Sequence, residues 1–362
     1  MKVGVVGLGR IAQMVHIPHL SELDGVEIAA LCDPSPKVLS AIASRFPGTS
    51  TYSDQGEMLR EGGVDAVVNC TATVLHPSTV RASLEAGLPT FVEKPLAFNP
   101  QDAEELARLA HRRDTVLAVG YHKRFDSGYL HFRQALETEE DIFYVRAHKY
   151  FGGYGAVRSE VYRLAGGDVP AGLAAAASRE LDRQLGFLPA DWRPAYRMLV
   201  DIASHVFNAL RGLWGDPERV LYTTTWGAQE RAPGAGAIPH VVSVLDYGRH
   251  RASFEFAFLP QKKFWDEDIT AYAPTRILRL RFENAALQHM PAVVEVVSGV
   301  SEVQQVRIVG SHESPFRRVL AHFVDCALEG REPETSGEDA RRTIDAAVAV
   351  IESARTGAPV SL

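Results

Sequence analysis

Glycines that follow the first apolar stretch are the first residues whose types and spacing suggest chemistry. The stretch Lys2–Val6 predicts a short strand, and a helix is predicted to begin directly after the glycines. The intervening pattern is GxGxxG/A, in which the first glycine permits a tight turn and the second lets a pyrophosphate approach the backbone. The free N–H groups of the helix N-terminus attract phosphates. The sequence therefore predicts a dinucleotide-binding turn formed by Gly7, Gly9, Arg10, Ile11 and Ala12.

An acidic residue stands where such a turn requires one. Asp33 directly follows a second apolar stretch, Val26–Cys32, about 20 residues after the glycine pattern, as the dinucleotide fingerprint demands. A carboxylate at this place hydrogen-bonds the adenosine ribose and repels the 2′-phosphate of NADP. We therefore expect NAD as the cofactor, with NADP disfavoured. The alternative interpretation is an ordinary glycine turn followed by an aspartate that caps a helix.

A carboxylate and an imidazole form a second group. Asp201 and His205 are four residues apart on a predicted helix, Val200–Gly212, so their side chains share one helix face. Removal of hydride from a carbinol requires a base for the hydroxyl proton, and histidine exchanges a proton near neutral pH. We predict His205 as the general base, Asp201 as its orienting partner or a substrate ligand, and Asn208 as a ligand for a substrate hydroxyl. An ordinary Asp–His pair within a helix is the alternative.

Polar residues also follow three further predicted strands, Val64–Cys70, Thr90–Val92 and Val116–Val119. Ligands of open parallel sheets bind at the carboxyl ends of the strands. An ammonium at Lys94 can hold a substrate hydroxyl and stabilise a developing alkoxide, although a surface lysine in a turn is the more common case. Lys123 is expected to meet substrate oxygens or to remain a surface cation. His148, on a later strand, is expected to point to the substrate.

The predicted secondary-structure elements must bring these groups together. The pattern of these elements changes near residue 120. Before that point, continuous apolar strands alternate with helices, which is typical of a parallel sheet covered on both faces. After it, the strands show a period of two, which indicates an open, mostly antiparallel sheet. We therefore predict an α/β protein with an N-terminal Rossmann sheet, doubly wound and parallel, and a C-terminal α+β domain. The predicted domains are residues 1–122 for nucleotide binding, 123–335 for substrate binding and oligomerisation, and 336–362 as a C-terminal helix and tail.

The predicted strands of the second domain alternate between apolar and polar residues. They are Phe143–Tyr150, Val220–Trp226, Val241–Tyr247, Ala252–Phe258, Arg276–Phe282, Val293–Val297 and Val303–Ile308. One layer of helices cannot fully cover the apolar residues of strands such as Ala252–Phe258 and Val293–Val297, and a large exposed apolar face is usually an interaction surface. We therefore expect a homodimer or homotetramer formed through this C-terminal sheet.

Charge and cysteine content exclude several classes of partner. Lys and Arg number 38 against 45 Asp and Glu, a net charge of −7, so the chain lacks the basic field that phosphate backbones require. No apolar run approaches the ~20 residues needed to span a bilayer. The three cysteines are far apart, which argues against a disulfide scaffold or a zinc ribbon. We expect a cytoplasmic protein that binds neither nucleic acid nor membrane, and no metal site, because His16 and His19 have no evident third ligand.

Four motifs occur in a characteristic order along the chain. They are GLGRIA at residues 7–12, CDP at 32–34, VEKPLA at 92–97 and D-x-x-x-H at 201–205. In this order they resemble the Gfo/Idh/MocA family of NAD(P)-dependent oxidoreductases. The resemblance implies a Rossmann domain joined to an α/β domain with an open sheet. It also implies oxidation or reduction of hydroxyl and keto carbons of sugars, cyclitols and glycosides.

The resemblance implies roles for individual residues as well. The EKP motif is the family's signature for a catalytic lysine, which favours Lys94 as catalytic and places Glu93 and Lys94 beside the cofactor. Thr71, Thr73 and His76 occupy a segment similar to the family's TPxxxH, and they are expected near the nicotinamide ribose and pyrophosphate. For Thr73, a helix N-cap is the alternative.

Residues 151–200 form a stretch that is longer than usual for this family. It lies between the strand that bears His148 and the helix that bears the predicted base, so we predict an insertion near the active site that forms part of the substrate pocket. Tyr154, Trp192 or Tyr196 would offer an aromatic face to a pyranose or cyclitol ring. Tyr150 stands where inositol dehydrogenases typically have asparagine, which favours a bulkier sugar or glycoside over free inositol. A surface elaboration or an oligomer contact is the alternative.

The motif set favours an NAD-dependent dehydrogenase that acts on CH–OH groups. Two other functions remain open. One is a redox-assisted glycosidase with tightly held NAD, which would hydrolyse its substrate without net formation of NADH. The other is a non-catalytic, NAD-sensing regulatory protein, because a fold does not fix a function.

Overall fold

The computed structural model describes residues 1–139, 141–152, 167–226, 240–259, 265–284, 290, 292–299, 305–309 and 313–362. The chain divides into two compact units. The first comprises residues 1–121, 156–188 and 316–341, and the second comprises residues 122–155, 189–315 and 342–362. This division differs from the predicted contiguous domains 1–122, 123–335 and 336–362, because two later segments of the chain belong to the first unit.

The elements are numbered in chain order. The strands are β1 (Lys2–Val6), β2 (Glu27–Cys32), β3 (Ser50–Tyr52), β4 (Ala66–Asn69), β5 (Thr90–Val92), β6 (Leu117–Val119), β7 (Tyr144–Gly152), β8 (Arg219–Trp226), β9 (His240–Asp246), β10 (Arg251–Leu259), β11 (Trp265–Tyr272), β12 (Arg276–Arg281), β13 (Val293–Ser298), β14 (Gln305–Val309) and β15 (Val360–Ser361). The α-helices are α1 (Ile17–Ser21), α2 (Pro36–Ala43), α3 (Gln55–Glu61), α4 (His76–Glu85), α5 (Pro100–Arg112), α6 (Ser127–Leu136), α7 (Ala171–Gln184), α8 (Arg193–Met198), α9 (Ser204–Trp214), α10 (Pro315–Glu329) and α11 (Gly337–Thr356). The described residues also form two π-helical turns, Ala12–His16 and Leu199–Ala203, and two 3₁₀ turns, Thr73–Leu75 and His122–Phe125.

A six-stranded sheet with the order β3-β2-β1-β4-β5-β6 forms the centre of the first unit. Every neighbouring pair is parallel. All four residues of β4 and all three of β5 are buried, as expected when helices cover both faces of a parallel sheet. The helices α2 and α3 and the short edge strand β3 are additions to the elements that the sequence predicts.

Residues far along the chain complete the last strand of this sheet. The Val119 N–H donates a hydrogen bond of 2.8 Å to the Thr335 carbonyl, and the Thr335 hydroxyl donates one of 2.8 Å to the Val119 carbonyl. The Phe323 ring on α10 lies 5.8 Å from the Phe91 ring on β5. Ser336 accepts a hydrogen bond from the Asp339 N–H at 3.3 Å, so it caps α11. These contacts explain why residues 316–341 belong to the first unit.

The second unit is built on a nine-stranded sheet with the order β14-β13-β12-β11-β7-β10-β9-β8-β15. Its neighbouring strands are antiparallel except for the parallel pair β7 and β10. Phe207 of α9 packs on Phe254 of β10 with ring centroids 4.4 Å apart. The predicted fold class, a Rossmann sheet followed by a mostly antiparallel open sheet, is confirmed.

Strand β11 is missing from the sequence prediction, which places no strand between Phe258 and Arg276. Its sequence, WDEDITAY, has three consecutive acidic residues that conceal the period of two. Glu267 lies opposite Lys149 of β7 and is buried. A buried charge thus takes a position that the alternation rule reserves for an apolar side chain.

The sequence predicts that apolar residues of β10 contribute to an oligomer interface, and the two faces of this strand do not support that expectation. Phe254 and Phe256 are buried on one face, whereas Ser253 and Glu255 lie on the other face and bind tyrosine hydroxyls of β7. Phe254 and Phe256 therefore do not supply an exposed apolar surface. Apolar exposure does occur at β14, where Val306 is 56% and Ile308 is 68% exposed.

All three cysteines of the chain, Cys32, Cys70 and Cys326, are free and buried. Burial raises the pKa of the Cys32 thiol to about 12 and that of Cys70 well above its usual range, so both are protonated near neutral pH. Among the residues that the structure describes, no helix is long and apolar enough to cross a membrane.

Candidate functional site

The two glycines of the turn after β1 have different surroundings. Gly7 has a φ of 82°, and a Cβ added there would lie 2.7 Å from the Thr71 backbone nitrogen. Only glycine meets both conditions, so Gly7 is required by the fold. A Cβ added at Gly9, by contrast, would have no atom within 4 Å. The fold does not require glycine there, and the open space suits a ligand that approaches the backbone, as the dinucleotide fingerprint predicts.

Asp33 ties the end of β2 to this turn. One carboxylate oxygen accepts the Leu8 N–H at 2.7 Å, and the other accepts the Ser35 N–H at 2.8 Å. A carboxylate has about four acceptor sites, so two such bonds leave capacity for ribose hydroxyls. Ala12 is fully buried, as close packing of helix on strand requires, and Arg10 is exposed.

The predicted catalytic lysine follows a glutamate that contacts a buried histidine. His16 Nε2 lies 2.6 Å from Glu93 Oε1, and Glu93 Oε2 accepts the Lys94 N–H at 3.2 Å. Burial raises the pKa of the Glu93 carboxyl, but the His16 hydrogen bond and the charges of His16 and Lys94 outweigh burial, so the net pKa is lowered. A charged Glu93 fixes the backbone from which Lys94 projects. His16 was expected only as a packed or surface histidine, and its link to Glu93 spans 77 residues.

The residues predicted near the nicotinamide ribose hold the loops at the ends of β4 and β5. His76 Nδ1 lies 2.8 Å from the Pro95 carbonyl, and Nε2 lies 3.1 Å from the Thr71 carbonyl. Burial lowers the pKa of His76, which favours a neutral ring with one N–H. The shorter contact favours Nδ1 as the donor, so His76 anchors the EKP loop. Thr71 donates its hydroxyl proton to Asn69 Oδ1 at 2.8 Å, and Thr73 begins a 3₁₀ turn whose N-cap is Ala72.

Both predicted site segments contain a π-helical turn. One covers Ala12–His16, directly after the glycine turn, and the other covers Leu199–Ala203, which includes Asp201. His205 is the second residue of the helix that follows. Such turns are rare and often occur at functional sites. The four-residue spacing from Asp201 to His205 therefore does not follow the regular α-helical geometry that the sequence prediction assumed.

A second histidine accompanies the predicted base within the second unit. The rings of His122 and His205 are 4.7 Å apart with an interplanar angle of 65°, and both side chains are buried. His122 lies in a 3₁₀ turn that follows β6. Sequence reasoning missed it, although its place directly after a parallel strand was a usable signal.

Lys123 lies in a buried charge cluster of the second unit. Its ammonium forms an ion pair with Glu267, and Lys149 Nζ lies 3.1 Å from the other carboxylate oxygen. Burial raises the pKa of Glu267, but the two ammoniums more than offset it, and the net pKa is lowered. Lys123 also lies 4.2 Å from the centre of the Phe282 ring, and Lys149 4.4 Å from that of Trp265. Aromatic faces thus help to compensate the second positive charge.

His148 lies in a carboxylate cluster on the opposite face of the same sheet. Its Nε2 is 3.0 Å from Asp266 Oδ1, and its Nδ1 is 3.4 Å from Asp268 Oδ1. One ligand atom from each of these three residues lies within 4.8 Å of the others, a spacing compatible with a cation. The Arg146 guanidinium already lies 3.2 Å from Asp268, and its positive charge opposes a second cation. The sequence did not indicate this cluster because both aspartates lie on β11.

Among the remaining residues predicted to contact the substrate, Asn208 and Tyr196 are buried and contact other parts of the protein. Asn208 donates its amide to the Thr343 hydroxyl at 3.0 Å and so binds helix α11. Trp192 precedes α8 and is half-buried, whereas Tyr196 is fully buried and offers no open aromatic face. Tyr154 lies outside the residues that the structure describes.

Comparison with known proteins identifies the first part of the chain. Residues 1–121 match the model of the Gfo/Idh/MocA oxidoreductase family, described as an NAD-binding Rossmann fold, which confirms the predicted resemblance. Myo-inositol 2-dehydrogenase of Thermotoga maritima is 31% identical over 138 residues, 38% of this chain and 41% of that protein. D-glucoside 3-dehydrogenase of Escherichia coli is 30% identical over 125 residues, 34% of this chain and 36% of that protein. The matched region thus spans well under half the length of these curated relatives.

The fold similarity extends over the whole chain. The WlbA dehydrogenase of Bordetella pertussis, solved in complex with NADH and UDP-GlcNAcA, superposes with a TM-score of 0.72 at 22% identity. The alignment covers 100% of this chain and 98% of that one. At this identity the similarity establishes the architecture of both units.

Substitution of Gly7 should affect mainly the stability of the protein, whereas substitution of Gly9 should affect mainly the binding of the cofactor. Gly7→Ala should destabilise the protein by at least about 2 kcal/mol, because it forces a side chain into a left-handed backbone against Thr71. Gly9→Ala should leave the melting temperature near that of the wild type. It should weaken NADH binding about tenfold or more, because the second glycine admits the pyrophosphate. Thermal unfolding and NADH fluorescence titration measure the two effects, and an unstable Gly9→Ala variant or an unaffected Gly7→Ala variant would contradict the assignment.

The buried charge cluster should make stability depend on Glu267. Glu267→Gln leaves two buried ammoniums without a carboxylate and should cost about 3–5 kcal/mol at pH 7. The matched control Glu283→Gln removes a partly exposed carboxylate 3.7 Å from Arg281 and should change stability by less than about 0.5 kcal/mol. Urea unfolding measures both changes, and equal stabilities would refute the cluster's contribution.

The contribution of the Glu267 carboxylate to the free energy of unfolding should depend on pH. Because the pKa of Glu267 is lower in the folded than in the unfolded chain, its stabilisation is complete above the ordinary carboxyl pKa of about 4.3. It is lost as pH falls through the folded-state pKa. The stability difference between wild type and Glu267→Gln should therefore shrink as unfolding is measured from pH 7 down to acid pH. A constant difference would show that the carboxylate does not titrate as inferred.

Proposed function

We propose that this chain, whose residues 1–121 carry the NAD-binding Rossmann fold of the Gfo/Idh/MocA oxidoreductases, is an NAD-dependent dehydrogenase. Its substrate is a sugar, cyclitol or glycoside, oxidised or reduced at a CH–OH or keto carbon. One observation carries the proposal: the glycine turn, Asp33 and Lys94 follow β1, β2 and β5 of a single parallel sheet, at the edge where such sheets bind ligands. The relatives named as inositol and glucoside dehydrogenases support the substrate class.

The residues of the first unit fit the dinucleotide. The space at Gly9 admits the pyrophosphate to the backbone, and the N–H groups that follow can bind it. Asp33 retains acceptor sites for the adenosine ribose hydroxyls and opposes a 2′-phosphate, which supports NAD over NADP. When bound, the nicotinamide ring supplies the acceptor or donor of hydride.

Residues of the chain must accept a proton from the substrate and stabilise a developing negative charge on its oxygen. Oxidation of a carbinol moves hydride from carbon to the cofactor, and the hydroxyl proton goes to a base. We assign that base to His205, with Asp201 as the residue that orients it. We assign to the Lys94 ammonium a hydrogen bond to the substrate oxygen, which stabilises the alkoxide. The buried Glu93–His16 pair restrains the backbone of Lys94 and so limits its movement during the step. The substrate contacts predicted for Lys123, His148, Trp192 and Asn208 stay predictions.

A substrate screen tests the proposal. Inositols, free sugars, nucleotide sugars and alkyl glycosides would be incubated with NAD⁺ or NADP⁺, and absorbance at the reduced-nicotinamide band followed. Formation of NADH with one substrate class supports a dehydrogenase. Hydrolysis of a glycoside without net NADH would instead establish the redox-assisted glycosidase. NADH binding with no turnover of any class would favour the regulatory protein.

Lys94 and His205 should be needed for the reaction more than for NADH binding. Loss of a positioned acid–base residue lowers the rate by ~10²–10⁴-fold, so Lys94→Met and His205→Asn should lower kcat by about that factor. The dissociation constant of NADH should change little in both variants. The exposed His111 offers a matched control, because His111→Asn should retain wild-type kcat. Near-normal kcat in either test variant would remove that residue from the mechanism.

We further propose that the protein forms a homodimer or homotetramer through the nine-stranded sheet. The support is the apolar exposure at β14 and its neighbours on the same face, Val293 and Val297, which are partly buried. Multi-angle light scattering at micromolar concentration should therefore give a mass of at least twice 39.6 kDa.

Ile308 should be part of this interface. Ile308→Glu places a charge in the apolar patch and should shift the protein towards the monomer. Leu328 on α10 is equally exposed, at 68%, so Leu328→Glu serves as the matched control and should leave the mass unchanged. A monomeric wild type would refute the oligomer, and an unchanged mass for Ile308→Glu would place the interface elsewhere.

A further inference from the structure

Among the residues that the structure describes, helix α7 has few packing partners. Of its 14 residues, Gln184 is the one that is buried, and all six residues of the stretch Ala171–Ala176 are exposed. A helix of this length is marginal in water without tertiary packing. Its alanines favour the helical state, yet they contribute little apolar surface. The helix is therefore held mainly by its two ends, both of which belong to the first unit.

Asp168 anchors the end that precedes the helix. One carboxylate oxygen accepts the hydroxyl proton of Ser35, and the other accepts the Lys37 N–H at 2.9 Å. Ser35 is the N-cap of α2, and its own N–H binds Asp33. The hydrogen bond from Ser35 and that from the Lys37 N–H hold the pKa of Asp168 below its usual range, so the group is charged. The Asp168 carboxylate thus accepts hydrogen bonds from the Ser35 hydroxyl and the Lys37 N–H, two donors that lie shortly after Asp33 in the chain.

Gln184 anchors the other end. Its side-chain amide donates to the Val74 carbonyl at 2.8 Å and accepts the Phe98 N–H at 3.3 Å. Its backbone carbonyl accepts from the Asn99 amide at 3.2 Å. Val74 follows β4, and Phe98 and Asn99 follow β5. This anchor therefore lies at the carboxyl ends of β4 and β5.

The helix must cross the crevice between its two anchors. The strand order β2-β1-β4-β5 places the end of β1, with its glycine turn, between them. Three steps between strands cover about 14 Å, and a 14-residue helix is about 21 Å long. The helix is long enough to reach across the edge of the sheet. The exposed residues of α7 thus extend over the part of the first unit where the pyrophosphate would lie.

We infer that residues 168–184 form a clasp over the bound dinucleotide, and that Asp168 makes the site selective for NAD. The inference rests on the proposed function and deepens it. A 2′-phosphate on the adenosine ribose would need the hydroxyl of Ser35 and the N–H of Lys37, and Asp168 already holds both. Its charge would also repel the phosphate, so Asp168 acts together with Asp33 on the same feature of the cofactor.

Three variants separate the two parts of the clasp. Asp168→Asn removes the charge and should improve NADPH affinity relative to NADH by roughly tenfold, since like charges disfavour a partner strongly. It should also speed NADH dissociation several-fold. Gln184→Ala releases the other anchor and should speed NADH dissociation without changing the NADPH-to-NADH affinity ratio. Asp182→Asn removes an exposed carboxylate of the same helix and should change neither quantity.

Binding rather than turnover is the measurement, so the substrate need not be known. Fluorescence titration of the full chain with NADH and NADPH gives the affinity ratio, and stopped-flow displacement gives the dissociation rate. Asp168→Asn values equal to those of Asp182→Asn would overturn the inference while leaving the proposed function intact. An equal change of the affinity ratio in Gln184→Ala would overturn the selectivity assigned to Asp168. Failure of the wild type to bind either nucleotide would overturn both the proposed function and the clasp.

Discussion

The backbone of Gly7 is the constraint on which the arrangement at the edge of the parallel sheet depends. Its positive φ turns the chain sharply after β1, and the Thr71 backbone fills the space that a side chain would need. The same turn presents the Leu8 N–H to Asp33 at the end of β2. Three strands therefore end in direct mutual contact before any ligand is considered. The helix that follows begins at the same point, with its free N–H groups available there.

Most of the first sheet can be predicted from the sequence because both its faces are buried. Continuous apolar runs mark β1, β2, β4, β5 and β6, and their predicted ends differ from the observed ones by at most two residues. The same logic fails for β11, where Glu267 is buried by pairing with lysines from elsewhere in the chain. No local pattern can reveal a buried acid whose partners are more than 100 residues away. The observed division into units differs from the predicted domains for a related reason, because nothing near Thr335 indicates that it binds Val119.

The candidate site shows the same contrast between local and distant information. Gly7, Gly9 and Asp33 can be proposed from the sequence because each belongs to a short motif with a physical reason for its spacing. Lys94 can be proposed because its EKP motif resembles that of a known family. The residues that support them are found only in the structure. His16 reaches Glu93, Asp168 reaches Ser35, and His122 lies against His205, each across tens of residues or more. Motifs thus identify groups that would contact a ligand, whereas the tertiary fold identifies the groups that hold them in place.

The pairing of Thr335 with Val119 has a consequence for the synthesis of the chain. These residues are 216 positions apart, so ribosomes adding 5–20 residues per second leave roughly 10–40 s between their appearances. During that time, β6 has an open edge able to pair with strands of other nascent chains. The first unit thus completes this edge of its sheet only after Thr335 has emerged. Until then, the N–H and the carbonyl of Val119 lack the hydrogen-bond partners that Thr335 supplies in the folded chain.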